Sequence, residues 1–96
     1  MSDLISLPLR RHLDLYKKKG GKRSRRATAA RIERFVKWCN TPAEQIGRKH
    51  VHIFFEEKRF AARTESDYFY AIKKLWEMIG RGKEPPRPPS MQHRLE

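Results

Sequence analysis

Arg63-Thr64-Glu65-Ser66-Asp67-Tyr68-Phe69-Tyr70-Ala71-Ile72-Lys73-Lys74-Leu75-Trp76-Glu77-Met78-Ile79 is the stretch that decides the fold. Within it Tyr68, Phe69, Ile72, Leu75, Trp76 and Ile79 recur at steps of three and four, so they share one side of a helix. Ser66, Tyr70, Lys73 and Glu77 share the opposite side. Thr64 carries a hydroxyl suited to accept from first-turn amides and is the expected N-cap. Asp67 adds a carboxylate at the positive end of the helix dipole, and Gly80 and Gly82 supply the stop. Such a helix cannot bury its apolar side alone, so the other segments must wall it in.

Working back along the chain, Pro8 suits the first turn of a helix over residues 8–18, with Leu9, Leu13 and Tyr16 at i, i+4 and i+7. Its other face holds Arg10, Arg11, Lys17 and Lys18, the last two complementing the negative end of the dipole. Lys19-Gly20-Gly21-Lys22-Arg23 breaks it. Ser24 then reads as the N-cap of a second helix over residues 25–40. Thr28, Ile32, Phe35, Val36 and Cys39 face inward there, while Arg26, Arg31, Arg34 and Lys37 face outward. Trp38 lies at the edge of that stripe, placed either to cross a neighbouring helix or to stack on a base. Thr41-Pro42-Ala43-Glu44 fits a capping box with proline at the first helical position, starting a turn that Gly47 cuts short. A third helix is expected over residues 48–58 with Val51, Phe54 and Phe55 inward and Ile46 and Phe60 closing its ends.

Beyond Ile79 the composition changes. Glu84-Pro85-Pro86-Arg87-Pro88-Pro89 cannot be helical, because each proline removes a donor and restrains the residue before it. The expected architecture is all-α: a compact orthogonal bundle of four principal helices in residues 1–83, then a disordered, extended proline-rich tail or linker in residues 84–96. A bare run of this kind is usually a spacer, with polyproline recognition by a partner the lesser alternative, and Leu95-Glu96 reads as a cloning scar.

Ninety-six residues, 35% charged and 38% hydrophobic, suit one small helical domain with a modest core. The outlier is a net charge of +12, with an isoelectric point near 10.5. Such a balance points to a polyanionic partner: DNA, RNA or an acidic membrane surface. Between residues 10 and 26 nine Arg or Lys face a single acid, Asp14. A single cysteine, Cys39, excludes an internal disulfide and falls on an apolar stripe as a small core residue. No apolar run approaches the ~20 residues of a membrane span, and the N-terminus lacks a long apolar signal core. A membrane-surface role is disfavoured because no helix joins a wide aromatic face to a purely basic one. His12, His50, His52 and His93 are scattered, no zinc-ligand spacing occurs, and neither a Gly-rich phosphate loop nor a Gly-x-Ser-x-Gly turn is present. Neither a cofactor nor a small-molecule substrate is expected.

Thr64, Phe69, Ala71-Ile72-Lys73 and Leu75-Trp76 together resemble the last long helix of the core-binding, SAM-like domain of phage integrases (tyrosine recombinases). In that family the helix runs Thr, a bulky apolar residue five later, Ala, an aliphatic, Arg or Lys, then an aromatic pair. Arg34-Phe35-Val36-Lys37-Trp38-Cys39 is similar to the Phe-aliphatic-x-Trp ending of the family's first conserved helix. Pro42-Ala43-Glu44-Gln45-Ile46 with His50-Val51 and Phe54 resembles its connecting turn and middle helix. The likeness spans about residues 22–89. Pro85-Pro86 falls where the family often has Asn-Pro, and the asparagine is absent.

The resemblance implies binding of double-stranded DNA in integration and recombination, with helices laid against the major groove as half of a clamp. It also implies that this chain is not itself an enzyme. The tyrosine nucleophile and Arg/His cluster belong to a catalytic domain that would follow residue 89, and Tyr16, Tyr68 and Tyr70 match no such motif. Other recombinase protomers would be further partners, and the setting would be cytoplasmic, at a nucleoid. Thr64 and Lys73 match family positions, and Ser24 falls where the family often has Thr.

Phosphates are held by Lys, Arg, hydroxyls and helix-start amides. Two helix starts offer that combination: Lys22, Arg23, Ser24, Arg25 and Arg26, and Arg63, Thr64 and Ser66. Arg31, Tyr70 and Lys74 join them from the helical faces. Capping alone would equally account for Ser24 and Thr64, and a solvated surface for the charge run. Rival readings are a nucleic-acid-binding regulator unrelated to recombination and a protein-interaction module using the tail or an apolar face.

Overall fold

A computed structural model describes residues 4–19 and 21–92, without the side chains of Lys22 and Gln92. Four principal helices appear in the expected order: α1 (Leu7–Lys18), α2 (Lys22–Cys39), α3 (Arg48–Lys58) and α4 (Ala62–Met78). A 3-10 turn (Ala43–Gln45) precedes α3, and a single helical turn, α5 (Pro89–Gln92), closes the described chain. The fold is all-α, with no strand among the described residues.

The apolar stripes produce the packing. Leu9 and Leu13 of α1, Ala29, Ile32, Phe35 and Val36 of α2, and Val51, Phe54 and Phe55 of α3 are buried. So are Tyr68, Phe69, Ala71, Ile72, Leu75 and Trp76 of α4. Helix α2 is the hub, packed against α1, α3 and α4. Phe54 is the centre of an aromatic cluster. Its ring lies 4.9 Å from Phe35, 5.2 Å from Trp38 and 5.3 Å from Tyr68, all edge-on. Trp38 is thus spent on the neighbouring helix. Phe60 stacks flat on Tyr68 at 4.9 Å and seals the end of α3 as expected.

Helix ends differ from the sequence reading at both proposed hydroxyl caps. Helix α2 begins two residues before Ser24, with Gly21 as N-cap at φ 69°, a left-handed conformation that glycine adopts freely. Helix α4 begins two residues before Thr64, with Ala61 as N-cap and no side-chain cap. Ser24 and Thr64 therefore both sit inside the first turn, because the residues before them are competent helix formers and the chain turns earlier on its backbone. The Thr41 capping box does not form either: Thr41 Oγ1 donates to the Cys39 carbonyl at 2.9 Å, and Pro42 caps the turn. A cap not anticipated is Ser6, whose Oγ accepts from the Leu9 amide at 3.4 Å and donates to Glu44 Oε2 at 2.7 Å.

The glycine stop of α4 is as expected. Gly80 takes φ 83°, its amide donates to the Glu77 carbonyl at 3.1 Å, and the Arg81 amide donates to the Trp76 carbonyl at 2.9 Å. This pairing satisfies the last carbonyls of the helix. It also lays the Arg81 guanidinium over the Trp76 ring at 4.4 Å.

The tail corrects an expectation. Residues 84–88 are non-helical, as the prolines require, but they are not a disordered linker. Pro85, Pro86 and Pro88 are buried, with Pro88 among the most enclosed side chains of the molecule. Residues 86–89 line a cleft with Val51, His52, Phe55 and Glu56 of α3, and α5 packs on α4. Proline loses little conformational entropy on burial, so a rigid proline-rich segment can cover an apolar groove without forming backbone ladders. The radius of gyration, 13.2 Å, is near the ~13 Å of a packed 100-residue domain, consistent with a tail folded back. Leu95-Glu96 lies outside the described residues.

Candidate nucleic-acid interface

Helices α2 and α4 run antiparallel, and this sets which basic residues can act together. Arg31 Nη2 lies 3.6 Å from Asp67 Oδ2, fixing the middle of the pair. Toward the start of α2 and the end of α4, the Arg25 guanidinium lies 4.7 Å from the centre of the Tyr16 ring. Lys74 Nζ lies 5.7 Å from the same ring. Tyr16, Thr28, Tyr70, Lys73, Lys74 and Glu77 line one shallow depression of about 270 Å³. Three helices therefore contribute to one basic, aromatic surface.

The structure gathers Arg25, Tyr70, Lys73 and Lys74 around Tyr16, with Arg31 farther along α2 beside Asp67. Tyr70 is exposed and presents its ring to solvent. Arg23, Ser24 and Arg26 are exposed at the neighbouring start of α2, while the Lys22 side chain lies outside the described residues. Arg63, exposed, and Thr64 and Ser66, half-buried, sit at the other end of α4. Arg63 and Lys74 are about 16 Å apart along the helix axis at ~1.5 Å per residue. The two helix starts singled out from sequence are thus the two ends of one ridge, and not one focus.

Acids accompany several of these cations. Lys73 Nζ is 3.2 Å from Glu84 Oε2, and Lys74 Nζ is 3.0 Å from Glu77 Oε1. The Lys73 ammonium, through its hydrogen bond first and its charge second, holds the Glu84 carboxyl below the usual carboxylate range. These pairs are solvent-accessible, so a phosphate oxygen would compete with the acid for each ammonium group. Away from this face, Glu33 Oε2 bridges α1 and α2, 3.2 Å from Arg10 and 3.7 Å from Lys17.

Two participants escaped the sequence reading as site residues. Tyr16 was assigned to the stripe of α1, yet its ring is half-buried between cations; its position at the lysine-rich end of α1 is the signal that marks it. Glu84 pairs with Lys73 across a chain reversal that no periodicity encodes. Cys39 is half-buried beside the core, and burial pushes its thiol up to about 12. Among the described residues no three His, Cys, Asp or Glu side chains are grouped to hold a metal ion, and no helix is long and apolar enough to cross a membrane. No protein-family model, characterised protein or solved structure matches the chain.

Proposed function

We propose that this protein binds double-stranded DNA through the α2/α4 ridge, in the manner of the core-binding domain of an integrase, and that the chain itself performs no strand cleavage. The observation that carries this reading is the clustering of Arg25, Lys73 and Lys74 with Tyr16 and Tyr70 on one face of a +12 molecule. A ridge of about 16 Å exceeds the ~12 Å width of the major groove, so its two ends reach phosphates on both strands. Ammonium and guanidinium groups neutralise those phosphates, tyrosine hydroxyls donate to them, and the register of the protein on the duplex follows from these contacts. Base readout is modest, and specificity in this reading comes from partner domains or protomers. The burial of Pro85, Pro86 and Pro88 supports the reading from another side, since a polyproline ligand must present an open segment.

The test is an amide chemical-shift titration with a duplex of ~20 base pairs at 50 and 200 mM salt. Shifts centred on residues 23–31 and 63–74 that fade at high salt are expected, with micromolar or weaker affinity, roughly 10⁻⁴–10⁻⁶ M. With six to ten phosphates engaged, affinity falls by about 10³–10⁵ between those salts. No shift at low salt, or shifts restricted to residues 84–92, overturns the assignment.

A further inference from the structure

We propose that residues 83–92 form a strap that latches onto α4 at Glu65 and sets Glu84 against Lys73, so that the strap and the DNA phosphate compete for one ammonium group. This rests on the DNA-binding reading and adds a regulatory element to it.

The latch is chemically unusual. Glu65 is only 6% exposed in a protein of net charge +12, yet its hydrogen bonds come from the strap and not from a cation. Oε1 accepts from Ser90 Oγ at 2.6 Å and from the Ser90 amide at 3.3 Å. A buried carboxyl that loses its donors is destabilised unless water reaches it, so loss of the Ser90 donors favours lifting the strap. The apolar half of the latch is the cleft where residues 86–89 meet Val51 and Phe55, with the Arg87 guanidinium 5.5 Å from the Phe69 ring. A terminal segment held by side-chain burial and the Ser90–Glu65 bonds can open locally while the helices stay folded.

The other end of the strap reaches the site. Glu84 Oε2 lies 3.2 Å from Lys73 Nζ, and Arg87 Nη2 lies 3.5 Å from Glu84 Oε1 and steadies the carboxylate from its other side. Lys73 belongs to the same depression as Tyr70 and Lys74. While the strap is seated the ridge therefore presents one cation fewer to the duplex. Lifting the strap releases Lys73 for the duplex.

The experiment uses the full chain. Fluorescence anisotropy with a ~20-base-pair duplex at 50 mM salt compares the unmodified protein with Glu84→Gln, Ser90→Ala and Glu57→Gln, an exposed acid on α3 that makes the same charge change away from the ridge. Glu84→Gln is expected to bind roughly three- to tenfold tighter and to steepen the salt slope by about 0.9, the signature of one added phosphate contact. Glu57→Gln should gain less than about twofold, as bulk charge alone would give. Ser90→Ala should tighten binding as well and raise the nanosecond mobility of residues 84–92 in amide relaxation. A duplex bound by the unmodified protein and by Glu84→Gln with equal affinity overturns the competition and leaves the DNA reading intact. Equal gains from Glu84→Gln and Glu57→Gln, or an unchanged strap in Ser90→Ala, overturn it likewise. If neither the unmodified protein nor Glu84→Gln binds the duplex, the DNA reading falls and the competition with it. Binding by Glu84→Gln alone supports both.

Discussion

Phe54 of α3 and Tyr16 of α1 pack at opposite ends of the antiparallel α2/α4 pair, and they keep opposite company. Around Phe54 lie the rings of Phe35, Trp38, Phe55, Phe60 and Tyr68 at centroid distances between 4.9 and 5.7 Å. Around Tyr16 lie the guanidinium of Arg25 and the ammonium of Lys74. Both are aromatic side chains on helix stripes. At the Phe54 end the neighbours exclude water and the ring contributes burial and edge-on packing. At the Tyr16 end the neighbours keep water, and the ring serves as a platform that fixes where two positive charges stand. In the DNA-binding reading, stability and binding are thus separated along the length of α2 and α4, and substitutions at the two ends should fail in different ways.

The largest contrast is expected at the dry end. Phe54→Ala removes the ring at the centre of the cluster and should cost about 3–5 kcal/mol in urea or thermal unfolding. For a domain of this size that is much of the total stability. Any loss of DNA binding should then track the folded fraction. A loss below about 1 kcal/mol would mean the cluster closes over the gap, and that the dry end is more plastic than its geometry indicates.

At the wet end the order of effects reverses. Arg25→Ala with Lys74→Ala should lower duplex affinity by roughly ten- to thirtyfold at low salt and flatten the salt slope by nearly two phosphate contacts. Their surface partners contribute little to folding, so the unfolding midpoint should move by less than about 1 kcal/mol equivalent. Equal losses in both measurements would erase the distinction between the two ends.

Legibility in the sequence follows the same division. The stripes of α1, α2, α3 and α4 were readable because burial along a helix repeats at 3.6 residues, and the bounds of α3 were placed correctly at Arg48–Lys58. The Gly80 stop was readable because a left-handed terminal residue favours glycine. Ser24 and Thr64 misled because a hydroxyl near a helix start fits a cap and a first-turn position equally well; the choice is made by where the preceding loop turns. Burial of Pro88 was illegible, because an extended segment packed by shape leaves no period. The clustering of Lys73 and Lys74 with Arg25 required the antiparallel pairing of α2 and α4, which is a property of the whole fold. The individual cations could be nominated from helical faces, but their grouping could not.

Cys39 sharpens the comparison chemically. It sits toward the dry end on α2, and desolvation keeps its thiol protonated well above neutral pH. Because the thiolate is the reactive form, alkylation by iodoacetamide at pH 8 should run at least about tenfold slower in the folded protein than in denaturant. The rate should rise as pH climbs toward the elevated value, since only there does the folded state begin to release the proton. Alkylation equally fast in both states would show that water reaches this end.

The smallest effect isolates what Tyr16 contributes. A cation over an aromatic face is attracted by the ring and not by the hydroxyl, with a strength of about 0.5–1 kcal/mol at an exposed site. Tyr16→Phe should therefore leave stability within a few tenths of a kcal/mol, while Tyr16→Leu should lose about 0.5–1 kcal/mol. In a double-mutant cycle with Arg25→Ala, Tyr16→Leu should give a coupling of the size of the lost contact, and Tyr16→Phe, which keeps the ring, a coupling near zero. DNA binding then divides the two roles of the ring: a platform alone predicts that Phe binds like Tyr, whereas a hydroxyl that donates to phosphate predicts a drop of a few-fold for Phe. Loss of affinity with Leu but not with Phe would assign Tyr16 the task of holding Arg25 and Lys74 in place for a phosphate that it does not itself touch.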